Sequence, residues 1–226
     1  MRRRQYPERH GAEPENVTAA VILAAGASTR MGTPKQLLPL GSGTVIEQVV
    51  KTIQPVVDRT VVVVGHQAEA VRAVLAGSRA CCVDNPDYCH GMVTSVQAGI
   101  RAAGDAAAFL ICLGDQPGVS RQVAAAIVAA WRRSKVPLVT PSYGGRRGHP
   151  ILVSRCLREE ILALPAHEGL NAVTRRHAAA GKLVPVEDEE ILLDMDTPLD
   201  YQAFLRRHDT RERSSGSDSP DADFRA

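Results

Sequence analysis

Aromatic residues are scarce in this chain of 226 residues: one Trp, four Tyr and three Phe, 4% of the total. That scarcity argues against the stacked-ring surfaces on which single-stranded nucleic acids are held. An excess of one charge is missing too, because 27 Lys and Arg stand against 25 Asp and Glu, a net +2. So small an excess leaves no electrostatic footprint for a nucleic acid or an anionic membrane. No run reaches the ~18 apolar residues of a spanning helix, so the chain reads as soluble. Five cysteines (81, 82, 89, 112 and 156) make an odd count without a C-x-x-C pair. That pattern excludes a disulfide framework and a zinc signature, and reduced thiols place the chain in the cytoplasm. Arg2-Arg3-Arg4 ahead of the apolar stretch from Val17 to Ala27 imitates an export signal. The acids and prolines between Pro7 and Asn16 are wrong for one. Two phosphate-binding fingerprints, G-x-x-x-x-G-K-[ST] and G-x-G-x-x-G, are absent.

What the chain does have is alanine, valine and a regular alternation of apolar patterns. Its length suits one domain with a full core. Residues 1–16 and 209–226 are charged and poor in apolar side chains. They read as a disordered arm and tail around a domain at 17–208. Unbroken apolar runs at Thr18–Leu23, Arg59–Val64, Ala80–Asp84 and Ala107–Cys112 predict buried strands. Helical spacing lies between them, in Val45, Ile46, Val49, Val50 and Ile53, then Val71, Val74 and Leu75 with Gly77 as a cap, then Val96 and Ile100. Alternating strands and helices give βαβ units, hence a three-layer α/β domain with a mostly parallel sheet. Farther on, Ser120 caps a helix packed through Val123, Ile127 and Trp131. Val136–Pro141, His149–Val153, Lys182–Pro185 and Ile191–Leu193 read as extended, while Cys156–Leu164 and Gly169–Ala179 read as helical. Thr197-Pro198-Leu199-Asp200 opens a last helix, to about Arg206.

The chemistry gathers where strands end. The first strand runs into Leu23-Ala24-Ala25-Gly26-Ala27-Ser28-Thr29-Arg30-Met31-Gly32-Thr33-Pro34-Lys35. Small residues there leave backbone N–H groups free, and Gly26 lets the main chain approach a ligand closely. Successive N–H groups form a concavity for phosphate, to which Arg30 and Lys35 add full positive charge. The fourth strand delivers Asp115, in Leu113-Gly114-Asp115-Gln116-Pro117, to the same sheet edge. A carboxylate there suits Mg²⁺ bridging phosphate oxygens. A second carboxylate comes from Asp194-Met195-Asp196.

The pattern L-A-A-G-x-S-x-R-M-G-x-x-K closely resembles the signature of the nucleotidyltransferases, above all the molybdenum cofactor cytidylyltransferases and their guanylyl relatives. The resemblance covers about Val17 to Phe204 and implies a Rossmann-like nucleotidyltransferase fold. It implies Mg²⁺-dependent transfer of a nucleoside monophosphate from a triphosphate to a phosphorylated acceptor such as molybdopterin, releasing pyrophosphate. Leu113-Gly114-Asp115-Gln116-Pro117 resembles the family's metal segment. Asp194-Met195-Asp196-Thr197-Pro198 resembles its D-x-D-T-P, which makes Asp196 the preferred second ligand and Asp194 the other choice. Asn85 with Gly91-Met92-Val93-Thr94-Ser95 resembles the segment lining the base side, so Leu23, Ala24, Ala25, Gly26, Arg30, Lys35, Asn85, Gly91 and Ser95 are nucleotide-binding candidates. Gly148-His149-Pro150 resembles the family's G-H-P, placing His149, with Gln116, on the acceptor side.

Ala24-Ala25-Gly26 resembles the cytidylyl version of the loop, which favours CTP over GTP. A molybdenum hydroxylase is the partner this implies. One departure stands out: where the family shows G-D-x-G and then an arginine, this chain reads His167-Glu168-Gly169-Leu170-Asn171. If that segment touches the acceptor, the acceptor stays open between molybdopterin and other small phosphates. A nicotinamide-dependent oxidoreductase and a non-catalytic cofactor-delivery protein are the competing classes. The missing G-x-G-x-x-G argues against the first, and intact Lys35, Asp115 and Asp196 against the second.

Overall fold

A computed structural model describes residues 16–27 and 31–215. Arg30, the arm at 1–15 and the tail beyond 215 lie outside the described residues. In chain order the elements are β1 (Thr18–Ala24), β2 (Pro39–Leu40), β3 (Gly43–Thr44), α1 (Val45–Ile53), β4 (Arg59–Val64) and α2 (Ala68–Val74). Then come β5 (Cys81–Asp84), α3 (Met92–Ala103), β6 (Ala108–Leu113), α4 (Arg121–Ser134), β7 (Leu138–Tyr143), β8 (Arg146–Arg147) and β9 (Ile151–Ser154). The chain finishes with α5 (Arg158–Leu162), α6 (Asn171–Arg176), β10 (Lys182–Pro185) and α7 (Pro198–Ser215).

The main sheet has the order β5-β4-β1-β6-β9-β7-β10, with β8 paired on β7. β1 runs parallel to both β4 and β6, while β9 runs antiparallel between β6 and β7. The mostly parallel, three-layer α/β architecture is thus present. Its cause is visible in β1, where every residue is buried. Ala20, Ile22 and Ala24 face a core built with α1, α2 and α4; Ala19, Val21 and Leu23 face the opposite core, with α3 and α5. Side chains alternate across a strand, so a strand buried on both faces must be apolar at every position. Gly99 brings α3 close to the sheet, because a Cβ there would stand 2.2 Å from Val21 Cγ1.

Five elements differ from the sequence reading. Ile191 to Leu193 is not a strand: Glu189–Leu192 forms a 3₁₀ turn, and the Asp188 side chain accepts from Glu190 N at 3.2 Å. Gly77 does not cap α2, which ends at Val74 with Leu75 as its C-cap, and the Ser78 hydroxyl donates to Leu75 O. The helices at 156–164 and 169–179 shrink to α5 and α6. α7 continues past 209 to Ser215, because no glycine or second proline interrupts it before Gly216. Among the described residues no helix is long and apolar enough to cross a membrane.

Candidate active site

β1 continues through α1 into β4 on one side, and its other neighbour is β6. At such a reversal in an open sheet a crevice forms beyond the carboxyl ends of the strands. Leu23, Ala24 and Ala25 close the end of β1, with His66 N donating to Ala25 O at 3.0 Å. Gly26 is exposed, with nothing within 4 Å of where a Cβ would stand. The loop therefore borders open space. On the β6 side Gly114 N donates to Leu23 O at 2.9 Å, and a Cβ on Gly114 would lie 2.7 Å from that oxygen. Only glycine lets the two strand ends approach this closely.

Three residues from distant parts of the chain meet at this edge. Lys35 begins a single 3₁₀ turn and is buried. Its Nζ stands 2.5 Å from Asp196 Oδ1 and 3.4 Å from Asp115 Oδ2. Burial raises the Asp115 pKa, the Lys35 charge opposes that rise, and the Asp194 charge adds to it. Asp196 is aimed by a helix start: Asp196 N and Thr197 N donate to Asp200 Oδ2, and Asp200 N donates to Thr197 Oγ1. This reciprocal cap fixes the first turn of α7. The contact between Lys35 and both carboxylates was not legible in the sequence, where the lysine reads only as a phosphate ligand.

Asp194 takes different partners from Asp196. Its Oδ1 accepts from Gln116 Nε2 at 2.7 Å, and its charge is felt by His149. Gln116 is buried, and among the described residues its Oε1 has no hydrogen-bond partner. Burial lowers the His149 pKa from 6.5, while Asp194 pulls it back up. The unfolded chain accordingly takes up the proton first, so stability is full above pH ~6.5 and declines as pH falls below it. The melting temperature of His149→Gln should fall less steeply on acidification than that of the parent. Equal slopes in a pH series of thermal melts would remove His149 as a contributor.

The base-side candidates are placed at the start of α3. Asn85 is buried, and its Nδ2 donates to Thr94 Oγ1 and Ser95 Oγ, both at 2.9 Å. Its Oδ1 accepts from Asp87 N at 3.1 Å. Asn85 thus holds the turn and the helix start together. Gly91 adopts φ +131°, a region that favours glycine, and a Cβ there would stand 2.6 Å from Ala166 O. Sequence reasoning missed Gln97 and Glu190, both buried and both hydrogen-bonded across elements.

Among the described residues no group of three or more His, Cys, Asp or Glu is arranged to hold a metal ion. The donor set at Asp115 and Asp196 nonetheless suits Mg²⁺, which is held by one or two carboxylates together with substrate phosphates rather than by an all-protein cage. Both carboxylates already face one cation, the Lys35 ammonium.

The chain is 33% identical over 193 residues to the molybdenum cofactor cytidylyltransferase of Escherichia coli K12, covering 83% of this chain and 95% of that protein. It is 32% identical over 189 residues to the nicotine blue oxidoreductase of Paenarthrobacter nicotinovorans, covering 78% and 91%. Among solved structures, a nucleotidyl transferase from Methanothermobacter thermautotroptrophicus superposes with a TM-score of 0.76 at 28% identity, over 87% of this chain and 99% of that one. The model of the MobA-like NTP transferase domain matches residues 20–180, and the chain belongs to that family of nucleotidyltransferases.

Proposed function

We propose that this protein is a Mg²⁺-dependent cytidylyltransferase, moving CMP from CTP to the phosphate of a small acceptor, molybdopterin foremost, and releasing pyrophosphate. The observation that carries the proposal is the meeting of Lys35, Asp115 and Asp196 at the end of β1 and β6. The backbone N–H groups from Leu23 to Gly26, with Lys35 and Arg30, hold the triphosphate. Asp115 and Asp196 would hold Mg²⁺, which supplies neutralisation of charge on the α-phosphoryl group and the departing pyrophosphate. An acceptor phosphate oxygen attacks the α-phosphorus, and the bond to the β-phosphate oxygen breaks. The attacking group is already an anion, so positioning matters more than a general base. Asn85, Gly91 and Ser95 shape the base side; Gln116 and His149 border the acceptor side.

CTP is favoured because Ala25 stands where guanylyl relatives tend to carry a second glycine, and the Escherichia coli relative is named a cytidylyltransferase. Pyrophosphate release with Mg²⁺, molybdopterin and each triphosphate tests this, with kcat/KM for CTP exceeding that for GTP by about tenfold or more. A preference for GTP would overturn the base assignment. Absence of pyrophosphate with every triphosphate would overturn the transferase.

The oxidoreductase relative supports a second reading, reduction by a nicotinamide cofactor. It accounts less well for two carboxylates meeting at Lys35, because a nicotinamide cofactor, unlike a triphosphate, brings no divalent cation for them to share. A molybdenum hydroxylase receiving the product is the partner that the first reading entails.

A further inference from the structure

We propose that Gln97 is a positioning residue that holds segment 163–170 as a wall on the base side of the nucleotide pocket, and so influences the choice of triphosphate. This rests on the reading of Gly91 and Ser95 as nucleotide-binding. Gln97 lies on α3 two positions beyond Ser95 and is 8% exposed. Its Nε2 stands 2.8 Å from Leu164 O, 3.0 Å from Ile161 O and 3.4 Å from Leu162 O. α5 is only five residues long, and the turn after it supplies few backbone donors: Ala163 N donates to Glu159 O at 3.0 Å and Leu164 N to Ile161 O at 3.2 Å. The Gln97 amide adds a side-chain donor from α3 to this helix end.

From Leu164 the chain climbs along α3 toward its beginning. Ala166 O reaches Gly91, where a Cβ would meet it at 2.6 Å. The same segment is thus hydrogen-bonded to α3 at Gln97 and passes close against its start at Gly91. Pro165 to Gly169 are exposed, and Glu168 N donates to Pro165 O at 3.0 Å to close a turn. Segment 163–170 carries Glu168 and no Lys or Arg. Such a wall is poorly suited to a phosphate. Its exposed backbone groups, with Ala166 and Gly169 leaving them uncovered and His167 as a further hydrogen-bonding group, suit the edge of a ring, where cytosine and guanine differ in hydrogen-bonding pattern.

Hydrogen exchange on the full chain, with and without CTP and Mg²⁺, reads this directly. CTP should slow exchange in 91–95 and in 163–170 together. Gln97→Met should speed exchange of 163–170 on the order of tenfold without nucleotide. It should also lower the CTP:GTP ratio of kcat/KM by about tenfold while leaving KM for molybdopterin within about twofold. Ala166→Gly, an exposed change that leaves the buried amide intact, should move the ratio in the same direction by a smaller factor. It decides the matter if Gln97→Met fails to fold. Protection of 23–27 and 91–95 with none at 163–170 overturns this inference alone, as does an unchanged ratio in both variants. Absence of protection at all three segments overturns the nucleotide reading and this inference with it.

Discussion

Lys35→Met is expected to lose turnover by about 10²–10³, the usual cost of removing one charge-stabilising group from a transition state. Methionine keeps the length and apolar stem of the side chain and removes only the ammonium. That ammonium lies 2.5 Å from Asp196 and 3.4 Å from Asp115, so the variant also uncovers two facing carboxylates. Their side chains are 38% and 24% exposed, and water screens part of the repulsion. The fold should survive with a lowered melting temperature. The uncovered carboxylates should also bind a divalent cation more tightly in the absence of triphosphate, as titration of the variant and the parent with Mn²⁺ would register. A folded Lys35→Met protein with parental pyrophosphate release would refute the assignment of this lysine.

The second large effect belongs to the carboxylates. Asp115→Asn and Asp196→Asn should each reduce Mg²⁺-dependent turnover by about 10²-fold, with a shift to higher Mg²⁺ in a titration of rate. Stability should respond differently. Burial raises the Asp115 pKa, so the folded protein disfavours the charged form, and Asn at that position should not lower the melting temperature. Asp194→Asn should cost less turnover, because Asp194 meets Gln116 rather than Lys35. If Asp194→Asn proves the most damaging of the three, Asp194 replaces Asp196 in the assignment.

The parallel half of the sheet was legible because its causes are local. Arg59–Val64 is a β-branched run buried on both faces, and Val45–Ile53 is an amphipathic helix with Pro55 just beyond. Both have the limits that their pattern predicts. Ile191 to Leu193 offers only three apolar residues, too few to separate a strand from a 3₁₀ turn. The antiparallel direction of β9 depends on packing between β6 and β7, which no local pattern encodes.

The site divides in the same way. Gly26, Lys35, Asp115 and Asp196 stand out at spacings set by strand ends and a helix cap. Their mutual contact does not, since a lysine in a phosphate loop reads as a ligand for phosphate. Asn85 was legible as a site residue, yet its amide is spent on Thr94, Ser95 and Asp87. Gln97 sits in an ordinary helical stretch, and its three carbonyl partners come from α5 and beyond, more than 60 positions away.

Lys35 and Asp196 stand 161 positions apart in the chain. Bringing two such points together in an unfolded polymer costs ~4–5 kcal/mol of closure entropy beyond a constant term. Pairing β1 with β4 and β4 with β5 closes only 40 and 20 positions, pairing β1 with β6 closes 90, and all four strands precede residue 114. During synthesis this half of the sheet is therefore available to pair while α7 has yet to be made. A chain made through α4 carries Lys35 and Asp115 but not Asp196. The contact between Lys35 and Asp196 can form only after residue 196 has been made, when the start of α7 docks and closes a loop of 161 positions.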